Sequence, residues 1–424
     1  MDKLIVKGGN KLYGEVDISG AKNSVLPIIA ASILCSGKVL IENCPLLEDV
    51  FVLCDVLRSM NANIIFEKEK KILKINCENL KNMEPSFDEV KKMRASFLIM
   101  GPMLARFGSF KISLPGGCNI GTRPIDLHLK GFIALGAEIN KDHGYVEAKA
   151  GELKGNKIYL DFPSVGATEN IIMASVLVKG ETIIENAAEE PEIEDLTIFL
   201  NKMGAKILGA GTDTIKIIGV TELKGIRHKL ISDRIEAGTF MAAATLTRSK
   251  IKINGVKEEY LKPVTAKLTE IGADIKFEGE SLIIDGNRDL KPVDIKTMPY
   301  PGFPTDMQAQ MMVLLATIKG TSIISETIFE NRFMHVAEIK RMGANIKIDG
   351  RCAMIEGNST LTGAEVKATD LRAGAALIMC GLIAEGETTI TDIYHIDRGY
   401  EEIEDKFKKL GVDIRRVTVD DSNI

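Results

Sequence analysis

The stretch from Ser113 to His128, which reads SLPGGCNIGTRPIDLH, combines residue types that can do chemistry. Cys118 lies between glycines that allow a mobile or tightly turned loop, and Arg123 follows five positions later. A thiol in polar surroundings near a cation is available as a proton donor or a nucleophile. His128 could act as a base, cap a helix or contact a ligand, and spacing does not choose among these roles. The alternative for Cys118 is a small, buried, apolar side chain.

The cysteine pattern of the whole chain bears on its compartment. There are seven cysteines, an odd number with no CxxC pair, which argues against a disulfide framework and against a zinc site. We therefore expect a reducing, cytoplasmic environment. Six cysteines lie among apolar residues or without a supporting cluster, and we expect them to be buried and unreactive: Cys35, Cys44, Cys54, Cys77, Cys352 and Cys380.

Cations recur where helices are expected to begin. Lys22 stands beside Asn23 in SGAKNS, Arg94 lies in KKMRAS and Arg372 lies in ATDLRAG. A cation at a helix N-terminus is unfavourable by several tenths of a kcal/mol unless an anion also binds there. Three more arginines stand at the predicted starts of amphipathic helices: Arg123, Arg332 and Arg398.

If these helix ends converge, six cations and several helix dipoles meet at one place, which suits a small molecule rich in phosphate and carboxylate groups. The alternative is that the arginines are solvated or paired with carboxylates of the same chain, as arginines usually are. Asp306 and Asp370 each follow a threonine where a helix is expected to start. Taken singly, each is expected to cap its helix.

These residues occupy fixed positions in a repeat. A short phrase recurs about every 70 residues, as MNANI, LGAEI, MGAKI, IGADI, MGANI and LGVDI. Each copy follows an amphipathic segment and precedes an alternating one, so it predicts a helix that ends and a strand that begins. A second helix in each repeat is apolar nearly all round, as in RIEAGTFMAAATLT, which predicts a buried core helix. The sequence therefore predicts six α/β repeats.

Length and composition limit the class of protein. A chain of 424 residues is too long for one core, so we expect two domains of three repeats, dividing near Lys229, with the initial strand completing the second. A net charge of -5 gives no general attraction for nucleic acid or an anionic membrane surface. The N-terminus does not read as a secretion signal, and the apolar runs are too short to predict a membrane span.

Eight segments spread over the whole chain resemble signature segments of the UDP-N-acetylglucosamine 1-carboxyvinyltransferase family, a branch of the EPSP synthase superfamily. They are SGAKNSVLPI, MRAS, LPGGCNIGTRPIDLH, SVGATEN, PGFPTDMQAQ, FENRFMH, ATDLRAG and YHIDRGYE. The resemblance implies an α/β fold of two inside-out α/β barrel domains, each built from three repeated units with buried helices. We expect these domains to comprise residues 22–229 and residues 1–21 plus 230–424, with the active site in the cleft between them.

The resemblance also implies a reaction. The enolpyruvyl group of phosphoenolpyruvate moves to the 3-hydroxyl of UDP-N-acetylglucosamine and phosphate is released, as the first committed step of peptidoglycan precursor synthesis. No metal or organic cofactor is implied. The partners implied are these two small-molecule substrates, with no nucleic acid and no membrane.

Residue roles follow from the same resemblance. Cys118 would be the general acid that protonates the methylene carbon of phosphoenolpyruvate, and the thiol that the epoxide fosfomycin alkylates. Asp306 would accept the proton of the sugar hydroxyl, while Lys22, Arg123 and Arg398 would bind phosphoenolpyruvate. Additional substrate-binding residues would be Asn23, Arg94, Arg332, Asp370 and Arg372. The uridine nucleotide contacts would be Arg123, Pro124, Ile125, Asp126, Leu127, Ser164, Val165 and Ile328.

Two other functions compete with this one. The first is 3-phosphoshikimate 1-carboxyvinyltransferase, a sister enzyme with the same six-repeat architecture, but its usual segments resembling GNAGTAMR and GSKS are absent here. The second is a noncatalytic binding protein formed by a closed ring of repeats. Such a protein should carry a basic lining or an apolar patch, whereas here the cations gather at helix starts.

Overall fold

The computed structural model of the protein describes residues 2–85, 94–114, 121, 125–142 and 144–418, and it describes Arg94 and Ala95 by backbone alone. These residues fall into two compact units. The first unit comprises residues 20–114 and 125–231, and the second comprises residues 2–19, 121 and 232–418. The prediction divided the chain two residues away, after residues 21 and 229.

The described strands are short, mostly five residues. They are β1 Asp2–Lys7, β2 Glu15–Asp17, β3 Lys38–Glu42, β4 Asn63–Glu67, β5 Ile72–Asn76, β6 Ser109–Ser113, β7 Glu138–Asp142, β8 Tyr145–Lys149, β9 Lys157–Tyr159, β10 Glu181–Glu185, β11 Lys206–Leu208, β12 Thr214–Ile218, β13 Arg227–Lys229, β14 Lys250–Asn254, β15 Asp274–Glu278, β16 Ser281–Asp285, β17 Ile295–Lys296, β18 Thr321–Ser325, β19 Asn345–Asp349, β20 Cys352–Glu356, β21 Glu365–Lys367, β22 Glu387–Thr391 and β23 Ile414–Thr418.

The described α-helices alternate with these strands. They are α1 Lys22–Ala31, α2 Glu48–Ser59, α3 Met100–Phe107, α4 Asp126–Ala134, α5 Val165–Ser175, α6 Pro191–Met203, α7 Arg234–Leu246, α8 Glu258–Ile271, α9 Gln308–Thr317, α10 Val336–Arg341, α11 Leu371–Ile383, α12 Tyr394–Asp397 and α13 Ile403–Lys409. Short 3-10 helices are Ser32–Leu34, Lys68–Lys70, Arg94–Ile99 and Thr305–Met307.

The six predicted repeats appear as six small sheets, three in each unit. In the third repeat, for example, β9 pairs in parallel with β10, β10 pairs antiparallel with β12, and β12 pairs antiparallel with β11. Thr182 and Ile184 of β10 are buried while Glu181 is exposed, so one face of the sheet covers the core. The repeat prediction is therefore confirmed.

The core helices explain why the repeats group in threes. All residues of α7 from Ile235 to Leu246 are buried, and α11 is buried from Arg372 to Leu382. A helix that is apolar all round must be surrounded by other elements. In the second unit, α7, α9 and α11 contact one another, and in the first unit α1, α5 and the helix Arg94–Ile99 do the same.

Two strands pair with a sheet other than that of the helix they precede. β2 comes just before α1 in sequence but pairs with β14, and β13 comes just before α7 but pairs with β3. The corresponding strands β17 and β21 instead pair with β18 and β22, which belong to the same repeat as the helix that each of them precedes. The chain therefore passes between the units at residues 19–20 and 231–232, each time between such a strand and the next core helix.

The first strand of the chain completes the last repeat. β1 lies between β22 and β23 and pairs antiparallel with both. It takes the position that β20 has between β18 and β19 in the preceding repeat. Leu4 and Val6 of β1 are fully buried there. In the part of the chain that the structure describes, no helix combines the length and the apolar character needed to cross a membrane.

Candidate active site

Asp306 is held by two buried arginines of the second unit. It lies in the 3-10 helix Thr305–Met307 that leads into α9. Arg332 donates from Nη2 to its Oδ1 at 3.0 Å, and Arg372 donates from Nε and Nη2 to its Oδ2 at 3.3 and 3.1 Å. The two arginine side chains are 4% and 2% exposed, whereas the Asp306 side chain is 25% exposed. The carboxylate is thus fixed from the protein side and still reachable.

This arrangement stabilises the charged form of the carboxylate and fixes its orientation. Charge-assisted bonds to guanidinium groups favour an ionised carboxylate over a protonated one. The carboxylate can therefore accept a proton from a hydroxyl group that approaches its exposed side. The expectation that Asp306 caps a helix is wrong, because its side chain bonds the two arginines and no side-chain cap bond is present at Met307 or Pro304.

Asp370 does cap a helix. Its Oδ1 accepts hydrogen bonds from the backbone N–H groups of Arg372 and Ala373, at 2.9 and 3.0 Å, so it begins α11. The cap fixes the first turn of the helix that carries Arg372. The Asp370 charge also acts to raise the pKa of His335, but burial of that ring lowers the pKa by more.

His335 is a buried neutral histidine beside Arg332. Burial is the main cause that lowers the pKa of His335 to about 4, and the positive charge of Arg332 lowers it further against the opposing effect of Asp370. A hydrogen bond with the backbone of Arg332 also favours the protonated ring. The ring is 1% exposed, so it is neutral at pH 7 and acts as packing for the arginine.

The Arg372 guanidinium is charged although it is fully buried. Burial acts to lower its pKa, but Tyr400, Asp306 and Asp233 together outweigh this effect, and the pKa of Arg372 is raised. Its Cζ lies 5.2 Å from the centroid of the Tyr400 ring. Asp233 comes from the start of α7, so all three repeats of the second unit act on this one side chain.

Glu326 organises the loop next to Asp306, although no motif or spacing in the sequence marks it as a site residue. Its carboxylate accepts hydrogen bonds from the hydroxyls of Thr297 and Thr305, at 2.9 and 2.8 Å. It also accepts from the backbone N–H groups of Ile328 and Phe329, at 2.8 and 3.1 Å. The predicted nucleotide contact Ile328 is half-buried, so its side chain is neither a core residue nor fully exposed.

Two of the predicted helix starts are wrong. Arg332 lies in a turn four residues before α10 begins. Arg398 ends the short helix α12 and the following helix begins only at Ile403, after Glu402 adopts a left-handed conformation with φ of 45°. A cation at a C-terminus is favourable, so Arg398 needs no bound anion to offset a helix dipole. Arg398 is half-buried and lowers the pKa of His395 after the larger effect of burial.

In the first unit, Lys22 begins α1 and is paired. Its Nζ lies 2.8 Å from Oδ2 of Asp49, which is in the first turn of α2, and both side chains are less than a tenth exposed. No side chain caps α1, so the cation does stand at a helix start. Asn23, the second residue of the helix, is half-buried. An ammonium carries three donors, so pairing with one carboxylate is compatible with binding an anion.

The salt-bridge alternative raised for the arginines is therefore correct for Arg332 and Arg372. Lys22 is paired in the same way. These pairs are buried, and exposed pairs of the usual surface kind are worth little. A buried pair fixes the position of each charged group, because either member left alone would be strongly unfavourable. Pairing and substrate binding are thus not exclusive here.

The predicted nucleotide contacts lie at the starts of two helices of the first unit. Ser164 caps α5, with its Oγ 3.4 Å from the backbone nitrogen of Ala167, and Val165 begins that helix half-buried. Ile125 stands at the cap position of α4 and is half-buried. The two remaining described contacts are Asp126, which pairs with Lys141 at 3.0 Å on the surface, and Leu127, which packs against the core.

His128 joins these two helices. Its Nδ1 lies 3.0 Å from the side-chain nitrogen of Asn170 on α5. The Asn170 side chain also accepts a hydrogen bond from the Gly101 N–H at 2.7 Å and donates one to the Phe97 carbonyl at 2.9 Å. Since Asn170 accepts from the Gly101 N–H through its oxygen, its nitrogen must donate to His128, whose Nδ1 accepts. A Cβ atom at Gly166 would lie 3.3 Å from Cε1 of His128. The histidine therefore has a structural contact of its own.

Four predicted site residues cannot be placed in this geometry. Cys118, Arg123 and Pro124 lie outside the described residues, and Arg94 is described by its backbone alone, as the first residue of the helix Arg94–Ile99. Gly121 is the described residue of this stretch. It lies against Glu330 of the second unit, where an added Cβ atom would be 2.4 Å from Oε2.

None of the described cysteines forms a disulfide. The expectation that all six are buried is wrong for Cys352, which is exposed on the edge of β20, with its sulfur 3.4 Å from the Ser325 hydroxyl. Alternation along a strand places this position outward, and residue type alone does not show that. Burial raises the pKa of Cys54 and Cys77 to about 12 each, which makes those thiols unreactive. Among the residues that the structure describes, no cluster of metal-binding side chains occurs.

Comparisons with known proteins identify relatives over nearly the whole chain. The family model of EPSP synthase (3-phosphoshikimate 1-carboxyvinyltransferase) matches residues 6–407. Three relatives are named UDP-N-acetylglucosamine 1-carboxyvinyltransferase. Clostridium tetani form 2 is 69% identical, covering 98% of this chain and 100% of its own; Clostridium acetobutylicum form 1 is 66% identical with the same coverage; and Staphylococcus aureus form 1 is 54% identical, again with 98% and 100%.

Solved structures share the fold. The enolpyruvyl transferase NikO from Streptomyces tendae superposes with a TM-score of 0.90 at 26% identity, covering 99% of both chains. EPSP synthase from Acinetobacter baumannii gives a TM-score of 0.76 at 19% identity, covering 99% of this chain and 100% of that one, which concerns the fold alone. The predicted fold class, a mixed α/β enolpyruvyl transferase fold of two three-repeat domains, is confirmed.

Proposed function

The chain belongs to the UDP-N-acetylglucosamine 1-carboxyvinyltransferase family, and we propose on this basis that it transfers the enolpyruvyl group of phosphoenolpyruvate to the 3-hydroxyl of UDP-N-acetylglucosamine. Phosphate is released, and the product is a precursor of peptidoglycan. The observation that carries this function over its sister is the identity of 54–69% to relatives with that name over nearly the full chain. The chain is accordingly a transferase that acts on small molecules.

Asp306 is the proposed acceptor of the hydroxyl proton. The sugar oxygen forms a bond to the second carbon of phosphoenolpyruvate as its proton leaves, and the methylene carbon gains a proton at the same time. Arg332 and Arg372 stabilise the charged carboxylate that receives the hydroxyl proton, with bonds of 3.0 to 3.3 Å. The partly exposed side of Asp306 leaves room for a substrate hydroxyl to approach.

Cys118 is the proposed donor of the proton to the methylene carbon. A thiol can protonate carbon only while it holds its proton, so this step needs the protonated form. The final product contains a carbon–carbon double bond, so one methyl proton must be removed again when the phosphate leaves. Atoms then balance as one nucleotide sugar and one phosphoenolpyruvate giving one enolpyruvyl ether and one phosphate.

Cations are the proposed binding groups for the phosphate and the carboxylate of phosphoenolpyruvate. Lys22, Arg123 and Arg398 are assigned to this role, since ammonium and guanidinium groups bind such oxygens by charge-assisted hydrogen bonds. The buried pair with Asp49 supports the assignment of Lys22, because it fixes the ammonium at the start of α1. The remaining proposed substrate contacts are Asn23, Arg94, Pro124, Ile125, Asp126, Leu127, Ser164, Val165, Ile328, Arg332, Asp370 and Arg372.

Acceptor specificity tests the proposal. Phosphate release is measured with phosphoenolpyruvate alone, with added UDP-N-acetylglucosamine, and with added shikimate 3-phosphate. Release that requires the nucleotide sugar supports the proposal. Release with shikimate 3-phosphate instead would assign the chain to the sister activity, and no release with either acceptor would refute an enolpyruvyl transfer.

A cytoplasmic location is part of the proposal. The six described cysteines form no disulfide and five of them are buried, which suits a reducing compartment. Phosphoenolpyruvate and nucleotide sugars are highly charged metabolites, and their use implies access to the compartment where such molecules are made.

A further inference from the structure

A buried polar network lies among the three core helices of the second unit. Thr239 comes from α7, Gln310 from α9, and Tyr400 from the segment between α12 and α13. The three side chains are 0%, 0% and 2% exposed. Each repeat of the unit contributes one member, and the Tyr400 ring faces Arg372, with 5.2 Å from the guanidinium carbon to the ring centroid. The network therefore reaches the side chain that holds Asp306.

The hydrogen-bond directions in this network follow from its donors. Thr239 donates its hydroxyl proton to the backbone oxygen of Ile235 at 2.8 Å, so its oxygen can only accept from other partners. Tyr400 must then donate to Thr239 across 3.0 Å, and Gln310 donates from Nε2 to both hydroxyl oxygens, at 3.1 and 3.2 Å. The phenol oxygen is thus left as an acceptor, and the ring itself lies against the Arg372 guanidinium.

Charged groups act on the end of this network where Tyr400 meets Arg372. Arg372 interacts with Asp306, Asp233 and Tyr400, and burial raises the pKa of Tyr400 while Arg372 and Thr239 act to lower it. Asp306 in turn is bonded by Arg332 and Arg372. A neutral phenol with its oxygen toward a guanidinium, and its ring beneath it, favours one orientation of that group.

We propose that Tyr400 is a positioning residue for the reaction, which holds the Arg372 guanidinium in the orientation that presents Nε and Nη2 to Asp306. The inference rests on the proposed function, since it takes Asp306 as the proton acceptor. Tyr400 does not touch the reacting atoms. Its effect passes through Arg372, and it links the carboxylate to the centre of the three-repeat core.

The test compares Tyr400→Phe, which keeps the ring and removes the hydroxyl, with Tyr400→Leu, which removes both. We expect kcat to fall about 10-fold in Tyr400→Phe and further in Tyr400→Leu, because small displacements of a catalytic group are costly. KM values for both substrates should change less than kcat. The acidic limb of the pH profile of kcat should move to higher pH, since a loosened Arg372 stabilises the Asp306 carboxylate less.

Tyr394→Phe is the matched control, because Tyr394 lies six residues earlier and its side chain is exposed. It should leave kcat and the pH profile unchanged. Thr239→Val removes the acceptor of the Tyr400 hydroxyl while preserving shape, and it should shift the profile in the same direction by a smaller amount. If Tyr400→Leu does not fold, Tyr400→Phe and Thr239→Val decide the question. Unchanged kcat and profile in these variants, with only a lower Tm, would overturn the proposal.

A substrate-free measurement separates this proposal from the proposed function. In protein labelled with 15N-arginine, the Nε–H signal of Arg372, assigned with Arg372→Lys, should exchange slowly with water in the wild type and faster in Tyr400→Phe. Equal exchange in both proteins would refute the positioning role. If the wild type shows no transfer activity but exchange differs, the proposed function fails while the hold of Tyr400 on Arg372 stands.

Discussion

Arg372 donates both Nε and Nη2 to the same oxygen of Asp306, at 3.3 and 3.1 Å, while its helix is capped by Asp370 two residues earlier. The carboxylate and the guanidinium come from different repeats, 66 positions apart. Their contact exists because the core helices of the second unit pack directly on one another. The fold therefore places the proposed proton acceptor and its counter-ion together before substrate binds.

Replacing Asp306 tests the proposed proton acceptor. Asp306→Asn keeps the shape of the side chain but neither the charge nor a strong base. We expect kcat to fall by about 10²- to 10⁴-fold, which is the usual contribution of a general base. The free energy of unfolding should also fall by about 3 kcal/mol, because two buried guanidiniums lose their counter-ion. Phosphate release and thermal unfolding measure the two effects.

Asp274→Asn is the control for this change. Asp274 forms exposed pairs with Arg288 and Lys276 in the same unit, at 3.2 and 3.9 Å. Exposed pairs contribute about 0 to 1 kcal/mol, so activity and Tm should stay close to wild type. Near-normal kcat in Asp306→Asn would contradict its role as the acceptor.

Asp49 is expected to contribute to phosphoenolpyruvate binding, because its carboxylate fixes the Lys22 ammonium. Asp49→Asn leaves a buried ammonium without its carboxylate, so the free energy of unfolding should fall by about 3 kcal/mol. The KM for phosphoenolpyruvate should rise more than the KM for the nucleotide sugar, because the ammonium no longer has a fixed position. Steady-state kinetics in both substrates measure this difference.

Asp55→Asn is a matched variant in the same helix. Asp55 pairs with Arg58 at 2.7 Å on the surface, with its side chain 59% exposed. It should change neither the KM values nor the Tm appreciably. Equal effects of the two substitutions on both KM values would show that the Lys22 pair has no special part in binding.

His335 predicts a loss of stability on mild acidification. Its pKa is lowered to about 4 in the folded protein and is near 6.5 in the unfolded chain, so the unfolded state binds more protons between these values. Stability is therefore lost as pH falls below about 6.5, until the folded ring also protonates near 4. At pH 5.5 this amounts to about 1 kcal/mol.

His335→Gln should remove this part of the pH dependence. Calorimetric unfolding at pH 7.5 and pH 5.5 should show a smaller loss of Tm for the variant than for the wild type. His395→Gln is the comparison, since the pKa of that half-buried ring is also lowered, but less. A wild-type protein and a His335→Gln variant with parallel pH dependence would contradict the buried neutral ring.

Fosfomycin should modify Cys118 and spare Cys352. The exposed Cys352 is a natural internal comparison, because any general alkylating reagent can reach it. We expect peptide mapping after fosfomycin treatment to find the adduct on Cys118, with loss of phosphate release. After iodoacetamide treatment, Cys352 should be labelled as well.

Two variants complete this test. Cys118→Asp should retain phosphate release and resist fosfomycin, since a carboxylic acid can donate a proton but does not open the epoxide as a thiolate does. Cys352→Ser should remain sensitive. Inactivation of Cys118→Asp by fosfomycin would place the inhibited group elsewhere.

Much of the fold could be predicted from sequence because it is repeated. A left-handed residue follows each amphipathic helix, as glycine in five repeats and as Asn61 in the first. The apolar core helices recur in all six repeats, so each copy supports the others. The exchange of β2 and β13 between sheets changes no local pattern, so the repeat pattern does not predict which strand each of them pairs with. The predicted helix start at Arg398 was wrong, because Glu402 adopts a left-handed conformation and the helix begins only after it. A residue other than glycine rarely adopts this conformation, so the sequence does not indicate it.

The candidate site shows the same division. Asp306 and Arg372 stand out because charged residues at the edge of apolar helices are unusual. Tyr400, Asp49 and Glu326 do not stand out in the sequence, because each has an ordinary residue type for its surroundings and acts through partners that only the folded structure brings near. Only the packing of one element on another reveals that Asp49 of α2 meets Lys22 of α1, or that the Tyr400 ring lies beneath Arg372 of α11.

Direct identification of the product tests the central claim most sharply. The protein is incubated with phosphoenolpyruvate and UDP-N-acetylglucosamine, and the nucleotide sugar is analysed by mass spectrometry and by proton NMR. We predict a new species that has gained one enolpyruvyl unit, with vinyl protons and an ether bond at the sugar 3-position, formed in equal amount to phosphate. If the nucleotide sugar is recovered unchanged while the Staphylococcus aureus relative converts it, the result would contradict the account.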